Sequence, residues 1–280
     1  TLIFVPGDDN EDHELFDACT TSQQHSQWVW RYVRESGVEN SQQLFKFLAH
    51  HYLGHPCHWK PPKALPACVL YMPQSLKPSI KEYHLSANND VSLLNWKTLW
   101  HAQGHVKNRD VCMVLFYRSH LQSANTDMFD DLIKSLLDQG ISPLPVAVTS
   151  LKNSECLTVI NHLIEQSKVK LILNTTGFSS NKTANAHVAS QPTVISSPFA
   201  KELAVLQVIL CGNTEQDWQQ YSQGLRSKDI AMQVVLPEMD GRVITRAVSF
   251  KSESHFNKRC QTSVVRYLLH NERSEFVAKL

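Results

Sequence analysis

The run Val111-Cys112-Met113-Val114-Leu115-Phe116, followed by Tyr117-Arg118-Ser119-His120-Leu121, decides the fold class. Six apolar residues without polar alternation suit a strand buried on both faces, as in a parallel sheet. Beyond the loop, Met128, Phe129, Leu132, Ile133, Leu136 and Leu137 recur at helical spacing, with Asn125 or Thr126 at the N-cap and Gly140 as the stop. Arg118 and His120 therefore fall in a βα turn. The pattern repeats downstream: Val146 to Val148 runs into Thr149-Ser150, Val169 to Leu173 into Asn174-Thr175-Thr176-Gly177, and Val205 to Leu210 into Cys211-Gly212-Asn213-Thr214. Right-handed crossovers between parallel strands would bring all four loops to one sheet edge, where open α/β sheets bind ligands. The same residue types also serve as ordinary turn and cap formers. The predicted class is α/β: a Rossmann-like or flavodoxin-like parallel sheet with flanking helices, preceded by part of a smaller N-terminal α/β unit.

Working outward, the first part opens on a strand-like run, Leu2 to Val5, and continues through helical patterns at Leu15 and Phe16, at Trp28, Val29, Tyr32 and Val33, and at Leu44, Phe47, Leu48 and Tyr52. Pro56, Pro61, Pro62 and Pro66 break helix and strand alike. The expected division is 1–60 as part of an N-terminal domain, 61–108 as a proline-rich linker with a strand (Ala67 to Tyr71) and a helix (Leu93, Leu94, Trp96, Leu99, Trp100), and 109–280 as the main α/β domain. That domain is expected to close with a β-like segment, Arg242 to Phe250, and a helix carrying Phe256, Cys260, Val264, Tyr267 and Leu268.

A net charge of +1 over 280 residues, with Lys and Arg scattered, gives no electrostatic footprint for nucleic acid, and no apolar run reaches the ~20 residues that span a bilayer. Seven dispersed cysteines without a C-x-x-C pair fit buried, reduced thiols in the cytoplasm, which makes the sequons at Asn174 and Asn181 accidental. The start, without Met and inside an apolar run, reads as a piece of something longer. Histidines crowd the end of the first-part helix (His50, His51, His55, His58, with Cys57), but Gly54 and Pro56 interrupt them and no second ligand pair stands at a zinc spacing. His101 and His105 also stand four apart, with Gly104 between. There is no G-x-x-x-x-G-K-[ST], no G-x-G-x-x-G and no G-x-S-x-G anywhere. Glu238 and Asp240, in Leu236-Pro237-Glu238-Met239-Asp240-Gly241-Arg242, are either a carboxylate pair for proton or cation chemistry or a turn with Gly241 at positive φ.

Several of these segments, in this order, resemble the CobN and magnesium chelatase H-subunit family, the large subunits of aerobic cobaltochelatase and its magnesium counterpart. They are Phe116-Tyr117-Arg118-Ser119-His120, Asn125-Thr126, Pro143-Leu144-Pro145-Val146, Thr149-Ser150-Leu151-Lys152, Asn174-Thr175-Thr176-Gly177-Phe178 and Val205-Leu206-Gln207-Val208, then Asp229 to Val234, Leu236 to Arg242 and Ile244-Thr245-Arg246. Val5-Pro6-Gly7-Asp8-Asp9 and Gly37-Val38-Glu39-Asn40 resemble the N-terminal region of the cobalt branch. Where the family usually has Gly before Asn125, this chain has Ala124.

The resemblance implies an N-terminal fragment of a tetrapyrrole-binding subunit in a multi-subunit, ATP-dependent chelatase, a ligase forming nitrogen–metal bonds. The fragment alone is expected to be inactive. The implied substrates are hydrogenobyrinic acid a,c-diamide and Co²⁺. ATP and Mg²⁺ would be used by partners, an AAA+ ATPase subunit and its companion. Insertion removes two pyrrole protons and trades the metal's water for ring nitrogens, work suited to imidazole and carboxylate. His120 is expected as proton acceptor or transient metal ligand, with Glu238 and Asp240 as secondary acceptors. Arg118 and Arg246 would hold peripheral carboxylates in bidentate fashion, and Asn125, Asn174, Thr175, Thr176 and Gln233 complete the substrate-binding set. Other readings are a magnesium-chelatase-like subunit for another tetrapyrrole and a non-catalytic α/β binding or scaffold module.

Overall fold

The structure, a computed structural model, describes residues 1–7, 10–73, 84–85, 97–98, 109–177, 198–199, 203–220, 222, 224–255, 263–267 and 271–280. The chain forms two compact units: unit 1 takes Thr1–Leu65 and Ser119–Ala124, and unit 2 takes Pro66–Arg118 and Asn125–Leu280. The expected helix near Leu93 to Trp100 and the His101/His105 pair lie outside the described residues.

Unit 1 is helical among the described residues: α1 (His13–Asp17), α2 (Gln23–Glu35), α3 (Gly37–Tyr52) and α4 (Ser119–Gln122). The first two start on side-chain caps, Asp12 accepting from the Leu15 N–H and Ser22 from that of His25. Phe47 of α3 is fully buried against Val29 and Tyr32 of α2. Leu2 to Val5, a strand by its pattern, joins no ladder; the Leu2 amide donates to Thr20 Oγ1 and that of Phe4 to the Cys19 thiol. The proline-rich 60–65 stretch has no ladder partners either, so side chains of α2 and α3 satisfy its main chain. Asn40 exchanges two hydrogen bonds with Lys63, Gln43 and Glu35 accept from the Lys60 and Leu65 amides, and the Tyr32 hydroxyl donates to Lys60 O. Gln122 of α4 donates to the Glu35 and Arg34 carbonyls, closing the C-terminal end of α2.

Unit 2 is built on β1 (Cys68–Leu70), β2 (His84–Leu85), β3 (Val111–Tyr117), β4 (Ser142–Val148), β5 (Val169–Asn174), β6 (Ala204–Cys211), β7 (Val243–His255) and β8 (Ser263–Tyr267). Their order is β2-β1-β4-β3-β5-β6-β7-β8. The five central strands are parallel, and β1, β2 and β8 add on antiparallel at the two ends. Counted within the parallel set, the order is 2-1-3-4-5, the flavodoxin-like arrangement. Helices α5 (Asp127–Asp138) and α6 (Ser154–Ser167) make the crossovers flanking β4. Right-handed connections running in opposite directions place them on opposite faces.

Strand β3 is buried as its composition requires, with Cys112 to Phe116 at most 1% exposed. Phe116 stacks on Phe129 of α5 at 4.1 Å between ring centres. Two expectations change. Ser263–Tyr267, read as helix, is a strand whose Val264, Val265 and Tyr267 pair with Ser254, Glu253 and Lys251; these residue types suit a strand, and the long β7 offers it an edge. The expected linker strand joins the main sheet, Cys68 pairing with Val148.

Candidate functional site

In a 2-1-3-4-5 sheet the winding reverses between the carboxyl ends of strands 1 and 3, here β3 and β5. These ends are tied together. Thr175 directs both its amide and its hydroxyl to Leu115 O, each at 2.9 Å, and the Tyr117 hydroxyl donates to Gly177 O at 2.9 Å. A side chain on Gly177 would meet Met232 O at 3.3 Å, so the following layer approaches the β5 loop closely. That layer is a helical run changing pitch: α7 (Glu215–Gln220) precedes it, then come α8 (Ser227–Ile230), a π turn over Ala231–Val235, and α9 (Leu236–Met239). π turns are rare and often mark functional positions.

Beside the reversal point lies a buried polar network. Asn174 donates to Gln207 Oε1 at 2.8 Å and to Thr176 O at 3.0 Å, and accepts from the Thr176 hydroxyl at 2.9 Å. Gln207 donates to Thr176 O at 3.1 Å. Arg242 reaches Gln207 Oε1 at 2.9 Å and forms an ion pair with Asp240 at 2.9 Å, the two side chains exposing 4% and 1% of their surface. Burial lowers the basicity of Arg242, and the Asp240 carboxylate raises it in opposition. The Tyr117 hydroxyl is pushed up by burial, while Arg242 acts to lower it. The network holds a cation and its counter-ion at the sheet edge, with hydroxyl and amide groups locked around them.

Of the expected residues, the structure gathers Asn174, Thr176 and Asp240, with Thr175 pinning the adjoining strand end. It adds Tyr117, Gln207 and Arg242, which had no assigned role. Gln207 carried a readable signal: a lone amide in the apolar run Val205 to Leu210 must find a buried partner. Asp240 and Glu238 part company. The first is buried on Arg242; the second is exposed on α9. The turn between Asp240 and Arg242 uses Gly241 at φ 73°. Gln233, in the π turn, accepts from the Leu210 amide and donates to the Leu210 carbonyl, beyond Gln207 where the pairing of β6 with β5 ends. Arg118 is half-buried and donates to Pro66 O at 3.1 Å. Arg246 is exposed, its guanidinium 4.6 Å over the Phe276 ring of α10 (Asn271–Lys279). Asn125 is half-buried at the entry to α5. His120 lies on α4, within unit 1.

Among the described residues no three His, Cys, Asp or Glu side chains gather as a metal-binding group. The crowded histidines resolve into ring packing: His51 stands 4.4 Å from His25 and 5.4 Å from Trp59, and His25 Nδ1 bonds the Tyr52 hydroxyl at 2.8 Å. Among the described residues, no helix is long and apolar enough to cross a membrane. The Asn174 sequon is fully buried.

The CobN/Magnesium Chelatase family profile matches residues 30–280. The aerobic cobaltochelatase subunit CobN of Pseudomonas aeruginosa is 37% identical over 279 residues, and that of Sinorhizobium sp. is 30% identical over 285; each match covers 100% of this chain and 20% of the relative. The chain thus spans about a fifth of the length of the curated relatives it matches. Among solved structures, the catalytic subunit of cobaltochelatase from Mycobacterium tuberculosis superposes with a TM-score of 0.68 at 23% identity, over 97% of this chain and 20% of that one, a likeness of fold.

Proposed function

We propose, from the premise that this chain belongs to the CobN/magnesium chelatase family, that it forms part of the tetrapyrrole-binding large subunit of a cobaltochelatase. The observation carrying this reading is the match to two CobN subunits along the whole chain. The reaction is insertion of Co²⁺, as substrate, into hydrogenobyrinic acid a,c-diamide. Its energy comes from ATP hydrolysis on an AAA+ partner and a companion subunit.

In this reading the winding reversal of unit 2 provides the frame. Arg118 and Arg246 take peripheral carboxylates of the macrocycle, to which a guanidinium presents two parallel donors. Asn125 lines the substrate's approach, the buried Asn174-Thr175-Thr176 turn fixes the strand end behind it, and Gln233 supports it through its hold on β6. His120 accepts a pyrrole proton or transiently ligates Co²⁺, since neutral imidazole does either near neutral pH. Glu238 is a further acceptor. Asp240, bonded to Arg242, acts by fixing that cation's place; its own proton uptake would require breaking the pair.

The test uses the complete large subunit with its partners. Replacing His120 with Ala should abolish Co²⁺ insertion while circular dichroism and the melting temperature stay as in wild type. Unchanged turnover would remove His120 from the mechanism.

A further inference from the structure

Two arginines of unit 2 meet where α10 packs on β7. Arg246 lies on β7 and is exposed, with its guanidinium 4.6 Å over the ring of Phe276 on α10. Arg273 lies on the same helix one turn before Phe276. It is half-buried and donates to Ala247 O at 3.0 Å, the carbonyl of the residue next to Arg246. Its guanidinium is 5.0 Å over Trp218 of α7 and 4.9 Å over Phe250, and those two rings stand 5.3 Å apart. Among the described residues neither guanidinium makes an ion pair. Phe250 pairs with Cys211, the last residue of β6, so Arg273 stands near the edge where the parallel strands end and open α/β sheets bind ligands.

We propose that Arg246 and Arg273 form a two-guanidinium site for carboxylates, which on the tetrapyrrole reading above are those at the rim of the macrocycle. The ligand rests on that reading; the site rests on the two side chains.

The rings account for two like charges standing together. Each guanidinium gains from the face of an aromatic ring, and a guanidinium so stacked keeps N–H groups at its rim for other partners. Arg273 is the fixed half, held by Trp218, Phe250 and Ala247 O; Arg246 is the accessible half. Burial lowers the basicity of Arg273, Arg246 adds to this as a like charge, and Glu215 and Glu272 act against it from α7 and α10. Both guanidiniums stay protonated throughout the working pH range, so the two charges are permanent. A carboxylate placed between them relieves their repulsion and takes parallel N–H bonds. Lysine at position 273 would keep the charge and lose the fork.

The 280-residue chain is titrated at low ionic strength, by calorimetry with citrate, a tricarboxylate that is no tetrapyrrole, and by tryptophan quenching with uroporphyrin I, a porphyrin with carboxylates around its rim. Wild type should bind citrate saturably. Arg246→Gln and Arg273→Gln should each weaken it about ten-fold, the loss of one charge-assisted contact, and Arg273→Lys should recover part of that. Arg246→Gln, made at an exposed position, should keep the wild-type circular dichroism and melting temperature, so that its lost affinity is not lost fold. Citrate that fails to bind wild type, or binds it and both Gln variants alike, overturns the site. Uroporphyrin binding weakened in the same order supports the rim carboxylates as the ligand. Uroporphyrin bound alike by wild type and both Gln variants overturns that ligand alone. Uroporphyrin that does not bind wild type, while citrate still depends on both arginines, overturns that ligand and the tetrapyrrole reading together.

Discussion

Asp240 and Arg242 form a charge pair almost out of solvent, and such pairs are costly to leave half made. Asp240→Asn or Arg242→Met alone should each cost about 3–5 kcal/mol by urea denaturation, because one charge stays buried without its partner. The double variant should cost clearly less than the sum. Ala124 holds φ 51°, in the left-handed region. Ala124→Gly should therefore raise stability by about 1 kcal/mol in the same assay. His51, exposed but packed on the Phe47 and Trp59 rings, is held below its ordinary pKa by partial desolvation there, with His25 and His50 adding to it. The unfolded chain then binds a proton the folded one refuses, so stability falls as pH drops below about 6.5 and levels once the folded pKa is passed. His51→Gln should flatten that acid-side loss, followed by urea titrations from pH 7 to 5 read on tryptophan fluorescence. This scale was the least readable in the sequence. A carboxylate two residues from another looks the same whether it faces solvent or an arginine, and only the turn at Gly241 decides between them.

Among the elements, those with strong periodicity were legible. The apolar run of β3, the α5 stripe and the turn residues closing β4, β5 and β6 fixed the α/β class and the edge where the strands end. Strand order was not, because winding β4 to one side of β3 and β5 to the other leaves no trace in local pattern; both α/β arrangements suit the same runs. The Phe256 to Leu268 spacing reads as helix, yet β8 forms because β7 extends to His255 and supplies a ladder. The π turn is equally hidden, since Ser227 to Met239 reads as continuous helix. Its function in the fold is testable at Gln233, whose amide serves both polar groups of Leu210. Gln233→Leu should cost about 1–3 kcal/mol by strandling those groups. Amide exchange at Leu210 should speed up measurably.

At the scale of the molecule, the chain leaves unit 2 after Arg118, contributes Ser119–Ala124 to unit 1, and returns at Asn125. Sequence placed Arg118 and His120 in one turn; in the structure Arg118 ends the strand side in unit 2 while His120 stands on the short helix α4 of unit 1, a division set by packing, since Gln122 reaches the end of α2, far away in the chain. The candidate site was legible at Asn174, Thr176 and Asp240, and illegible in how Tyr117, Gln207 and Arg242 enclose them. The central claim is that this region takes part in binding tetrapyrrole. It is tested most directly by titrating hydrogenobyrinic acid a,c-diamide into the 280-residue chain, following its absorbance and tryptophan quenching, with Arg118→Ala and His120→Ala alongside. The account predicts saturable binding, weakened at least several-fold by either substitution. Absence of binding, or binding indifferent to both substitutions, would contradict it.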